Sequence, residues 1–170
     1  MFQLFDLMIL RGYWYNPMTY FIAQRTSSFF THGTILLGKE IEIVDHKTGK
    51  FVKGDQIEAS EGGVELTWKS KYDKRDKRIL RYKEQISEEK QYQMFKWLVS
   101  KIGCGYKYKS YLGYITGIKT NYLTDPNEFV CVELGSEMFM QNQINIWGCE
   151  KPTYIYPSDL LQNNCFQEVK

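Results

Sequence analysis

The chain has 170 residues, 43% apolar and 25% charged, enough for one domain with a sizeable core and too few for two. That balance excludes wholesale disorder, and a net charge of +2 with a pI near 8.2 makes no case for a nucleic-acid partner. Four cysteines (Cys104, Cys131, Cys149, Cys165) and two histidines (His32, His46) are the scarce chemistry-bearing residues.

The opening MFQLFDLMIL lacks a basic leader, carries Asp6 in its middle and meets Arg11 without a small-residue cleavage site. It reads as a buried strand, Phe5 to Leu10, ending at Gly12. No apolar run approaches the roughly 18 residues of a spanning helix, so no transmembrane segment and a cytoplasmic location are expected. The cysteines form no C-x-x-C pair and match no zinc spacing, and without an export signal they are expected as reduced thiols. Asn16-Pro17 starts a helix over Met18 to Arg25. Thr34 to Leu37 reads as a strand stopped by Gly38, and Ile41, Ile43 and Phe51-Val52 as the arms of a hairpin around Asp45 to Gly49. Gln56 to Ala59 and Val64 to Trp68 read as two further strands around Glu61-Gly62-Gly63.

Composition then shifts. Lys69 to Lys83 holds eight basic residues against two acidic ones, a local charge of +6 that leaves −4 on the remainder. The ordinary reading is a solvated loop and edge strand; the alternative is weak contact of residues 69–83 with an anionic surface. Ser87-Glu88-Glu89 caps a helix whose apolar side is Tyr92, Phe95, Trp97, Leu98 and Ile102, closed by Gly103. Gly105 to Lys119 reads as a loop, and a second helix covers about Cys131 to Asn142. The tail, Tyr154 to Leu160, reads as a short strand and turn. The sum is one α+β domain, residues 1–170, with an antiparallel, barrel-like sheet packed with helices.

Among the scarce residues, Cys131 falls at the first turn of a helix, where outward N–H groups and the dipole favour a thiolate. A nucleophilic thiol needs a base, and His32 precedes a buried strand that can aim it, whereas His46 lies in a charged turn with a solvated role. Glu58, in a short strand, is a candidate to orient the imidazole. Strand alternation puts Ile57 on the core side and Glu58 on an open side, or the reverse. Taken singly, each residue also has an ordinary reading: a small buried hydrophobe, a strand-edge histidine, a solvent-facing glutamate.

The order of motifs resembles a known family. Phe5 to Gly12, Ser28 to Gly38, Ile57-Glu58-Ala59 with Gly62-Gly63-Val64, Cys131-Val132-Glu133-Leu134 and Tyr156 to Leu160 are together similar to the circularly permuted branch of the NlpC/P60 papain-like superfamily. Its members include the YiiX-like permuted papain-like amidohydrolases. The resemblance implies that Cys131 is the nucleophile, His32 the general base, Glu58 the orienting residue and Tyr106 a pocket residue, with backbone N–H groups at the helix start forming an oxyanion hole. It implies a cysteine hydrolase of amide bonds in a peptide-like or acyl substrate, with no metal or organic cofactor. The alternatives are a lipid acyltransferase of the same fold and a non-catalytic binding or structural module. A wall-peptide hydrolase without an export signal implies phage-particle delivery or host lysis. Val132 and Lys107 depart from the family pattern, where serine and aspartate are usual, and bear on the polarity of the pocket. Glu133 matches the pattern and is expected to be structural.

Overall fold

A six-stranded antiparallel sheet is built around the apolar opening strand. The computed structural model describes residues 3–13, 17–45, 48–108, 125, 127–148 and 155–169. His46, Cys149, Asn16, Tyr154 and most of the Gly105 to Lys119 stretch lie outside these. The strands are β1 (Leu7–Arg11), β2 (Phe30–Val44), β3 (Phe51–Ser60), β4 (Gly63–Thr67), β5 (Lys77–Tyr82) and β8 (Phe166–Val169). Their order is β4-β3-β2-β1-β5-β8, and the sheet is open, its two edge strands unpaired with one another. A parallel pair, β6 (Gly105–Tyr106) and β7 (Glu128–Phe129), stands apart. The helices are α1 (Pro17–Thr26), α2 (Glu88–Ser100), α3 (Cys131–Gln141) and α4 (Pro157–Leu161).

β1 is apolar on both sides because both faces of the sheet are covered, and Leu7, Met8, Ile9 and Leu10 are all buried. Leu7 and Ile9 join Ile35, Ile57, Leu98, Leu134 and Met138 in the main core under α2 and α3. Met8, Leu10, Leu36 and Ile79 form a smaller layer on the other face, closed by Tyr72. Gly135 lets α3 lie close on β1, since a side-chain carbon there would sit 3.2 Å from Leu7 Cδ2. Ser87 Oγ accepts a hydrogen bond from Lys90 N and caps α2, whose buried positions are Met94 and Leu98. Tyr92, expected on that side, is 67% exposed: it lies off the 94–98 stripe of the helix.

Four further expectations are corrected. Gly38 does not stop a strand; at φ +71° it forms a bulge, and β2 continues to Val44. The hairpin arm at Phe51-Val52 and the strand at Gln56 to Ala59 are one strand, β3. β5 is not an edge strand, because β8 pairs beside it. The described part of the tail is the short helix α4, with Pro157 opening it and the Asp159 carboxylate accepting from Tyr156 N; the returning strand is Phe166–Val169.

Candidate active site

β2 and α3 meet at a glycine. A side-chain carbon on Gly33 would lie 2.8 Å from Val132 Cγ1, so the bare backbone of Gly33 admits the first turn of α3 against β2. That approach sets Cys131, the first residue of α3, beside His32. Val132 is buried in this contact and faces away from solvent, which gives its apolar character a packing reason.

The Cys131 thiol and the His32 ring line the same cavity and stand close enough for each to shift the ionisation of the other. His32 Nε2 lies 2.8 Å from Glu58 Oε2, which leaves Nδ1 as the nitrogen for the sulfur. Glu58 is fully buried; its side of β3 is covered by a 3₁₀ turn, Lys69–Tyr72, and is not an open face. The Tyr72 hydroxyl donates to the same Oε2 at 2.6 Å. Lys71 Nζ donates to Oε1 at 2.7 Å and Thr67 Oγ1 at 3.0 Å. Behind this cluster the Thr34 hydroxyl donates to Gln56 Oε1, and Gln56 Nε2 donates to Thr67 Oγ1, so the buried polar groups are satisfied in a chain.

The electrostatics follow from these partners. Burial opposes ionisation of Glu58, but hydrogen bonds from His32, Lys71 and Tyr72 overcome it and hold the carboxyl at about 2. Burial also pulls the His32 ring down. The Cys131 sulfur, by charge and hydrogen bond, and then Glu58 reverse this and raise it to about 9. Burial pushes the Cys131 thiol up, while His32 and the backbone N–H groups of Gly33 and Val132 bring it below the ordinary thiol value. The Tyr72 hydroxyl is pushed up by burial and by Glu58, so it stays a donor. Each of the two shifts runs in the direction that favours the charged form of its group beside the other, thiolate for Cys131 and imidazolium for His32.

Cys131 and His32 open into a cavity of about 310 Å³ that Tyr106, Tyr72, Arg75 and Thr31 also line. The structure thus brings Cys131, His32 and Glu58 together and puts Tyr106 on the wall of the same cavity. Lys107 is turned away: its ammonium pairs with Glu133 at 3.1 Å, and Glu133 reaches back to Val130 N at the start of α3. A larger cavity, about 770 Å³ between the β2 bulge and α2, holds none of these residues. Sequence reasoning missed Lys71, Tyr72 and Thr67. The signal available for the first two was a basic run broken by an aromatic, directly after a strand that pairs with the one carrying Glu58. Cys104 and Cys165 are free thiols remote from His32 in the contacts they make.

Comparison with protein-family profiles and with curated proteins finds no match. Among solved structures the chain is similar to the crystal structure of metalloprotein yiiX from Escherichia coli O157:H7, DUF1105. The TM-score is 0.65 at 13% identity, over 99% of this chain and 96% of that one. The likeness is one of fold. It supports a YiiX-like α+β architecture over the whole length. That protein is described as a metalloprotein; among the described residues here, no three His, Cys, Asp or Glu side chains converge to hold a metal. Both Glu58 oxygens are taken by donors, one of them an ammonium, which makes that carboxylate a poor cation ligand.

Proposed function

We propose that the protein is a cysteine hydrolase of amide bonds, with the permuted papain-like arrangement that the order of its motifs resembles. One observation carries this reading: the thiol at the start of α3 shares a cavity wall and electrostatic coupling with an imidazole whose Nε2 lies 2.8 Å from a buried carboxylate. Cys131 Sγ attacks the amide carbonyl carbon, and negative charge moves to the carbonyl oxygen near the N–H groups at the start of α3. His32 gives its proton to the departing nitrogen as the C–N bond breaks, leaving an acyl-enzyme. Water, losing a proton to His32, then attacks the thioester carbonyl and releases the acid with the thiolate restored. Glu58 keeps the ring oriented, and Lys71, Tyr72 and Thr67 keep Glu58 ionised.

The test is thiol reactivity. Iodoacetamide at neutral pH, read by peptide mass mapping, is expected to label Cys131 at least tenfold faster than Cys104 or Cys165. Equal rates at the three cysteines would remove the nucleophile and the reading with it.

A further inference from the structure

Five of the eight cations in the basic segment 69–83 have a carboxylate partner in this chain. Lys69, Lys71, Lys77, Arg78 and Arg81 each pair with a carboxylate: Asp55, Glu58, Asp73, Glu168 and Asp6. Arg75 has no acidic partner among the described residues, yet its guanidinium is not loose. Nε donates to the Arg11 carbonyl oxygen at 3.0 Å, and Nη2 donates to the same atom. The Tyr13 ring lies 4.9 Å from its central carbon and the Tyr72 ring 5.4 Å. Those bonds occupy the side edge of the group. Nη1 makes no hydrogen bond among the described residues, and Arg75 lines the cavity that holds Cys131.

We infer that Arg75 is a specificity-determining residue that seats a carboxylate of the substrate, within about one residue of the bond that Cys131 attacks. The inference rests on the hydrolase reading and adds a substrate class to it. An arginine fixed by a carbonyl and two aromatic rings has already lost its rotamer freedom, so binding a planar carboxylate costs little further ordering. The end carrying Nη1 matches a carboxylate as a two-pronged donor. The cavity, about 310 Å³, has room for about ten water-sized groups, which sets the short separation between the carboxylate and the scissile carbonyl. Glu61, the acidic side chain on the same wall system, sits on the β3–β4 turn, so an anion is repelled there and drawn to Arg75.

The experiment measures alkylation of Cys131 by two matched pairs of reagents: iodoacetate against iodoacetamide, and N-iodoacetylglycine against its amide. In each, the thiolate displaces iodide and forms an S–CH2 bond. In the intact protein at least one anionic reagent is expected to outpace its neutral partner. Arg75→Gln should lower the anionic rate about tenfold and leave both neutral rates within about twofold; Arg75→Lys should fall between. Acetate is expected to protect against iodoacetamide better than phosphate does. Fast neutral labelling with no anionic preference in either pair, or a preference that Arg75→Gln leaves intact, overturns the inference while the hydrolase reading stands. Equal protection by phosphate overturns the assignment of a carboxylate. Loss of neutral labelling in the unaltered protein overturns the hydrolase reading itself.

Discussion

Two carboxylates lie buried on the sheet, and both are held by residues of the same basic segment. Asp6, 2% exposed, receives Nε and Nη2 of Arg81 at 2.9 and 2.7 Å, with Gln3 N on one oxygen. Glu58, fully buried, receives Lys71, Tyr72, Thr67 and His32. The first pair is a closed fork between a guanidinium and a carboxylate, and it ties the start of the chain to β5. The second includes one partner that titrates and that reaches a thiol on its other side. Burial and good partners therefore do not mark a site; a titratable partner that opens into a cavity does.

The comparison breaks most visibly on stability. Arg81→Met strands the Asp6 charge in the interior and is expected to cost about 3–5 kcal/mol in urea unfolding, with iodoacetamide labelling of Cys131 unchanged in the folded protein. A parallel loss of labelling would show that the two carboxylates are not independent. Acid acts on the other one. Glu58 is held at about 2 in the fold against an ordinary 4.5, so its stabilisation, on the order of 3 kcal/mol, is fully present above pH 4.5 and is lost as pH falls through 2. Glu58→Gln should flatten that limb of the stability curve; an unchanged acid limb would mean that Glu58 is not the group responsible. His32→Ala comes next. Without the imidazolium, labelling of Cys131 at neutral pH is expected to fall about a hundredfold, leaving only the peptide N–H groups of Gly33 and Val132 to favour the thiolate. Labelling that survives this substitution would detach the ring from the thiol.

What the sequence discloses and what it hides follow one physical line. Ser87 with Glu88 and Glu89, the apolar run of β1 and the turn at Asp45 to Gly49 are local signals. The helix and the turn stand where those signals put them, while β1 begins two residues later than its apolar run, at Leu7, because Phe5 takes a positive φ. Gly38 is legible as a break but not as a bulge, because only the long pairing of β2 with β3 decides that the strand resumes. The YiiX-like fold carried by the order of short motifs is matched over nearly the whole chain. At the site, Cys131 and His32 announce themselves as rare residues at element ends. Lys71 and Tyr72 do not, since their meaning depends on a 3₁₀ turn folding back over β3 to cover Glu58. Nor does the sequence show that five cations of the +6 segment pair with carboxylates of this chain, since those partners come from Asp6, β3 and β8 as well as from the segment itself. Among the described residues no helix is long and apolar enough to cross a membrane.

The smallest effect separates orientation from chemistry. Glu58→Gln keeps the volume and an oxygen that accepts a bond from the ring, so His32 stays near Cys131, but the carboxylate charge, which adds to the larger effect of the sulfur in raising the ring, is gone. Turnover of an amide substrate is expected to fall about tenfold. The pH profile distinguishes this from a merely structural loss. In the unaltered protein the proton His32 gives to the leaving nitrogen is present below about pH 9 and lost above it, so the alkaline limb lies near there. In Glu58→Gln that limb should move to lower pH. Alkylation by iodoacetamide, which needs the thiolate and no proton donor, should show no such alkaline fall in either protein. A tenfold loss with the limb unmoved would reduce Glu58 to a packing residue like Asp6, and the distinction between the two carboxylates would close.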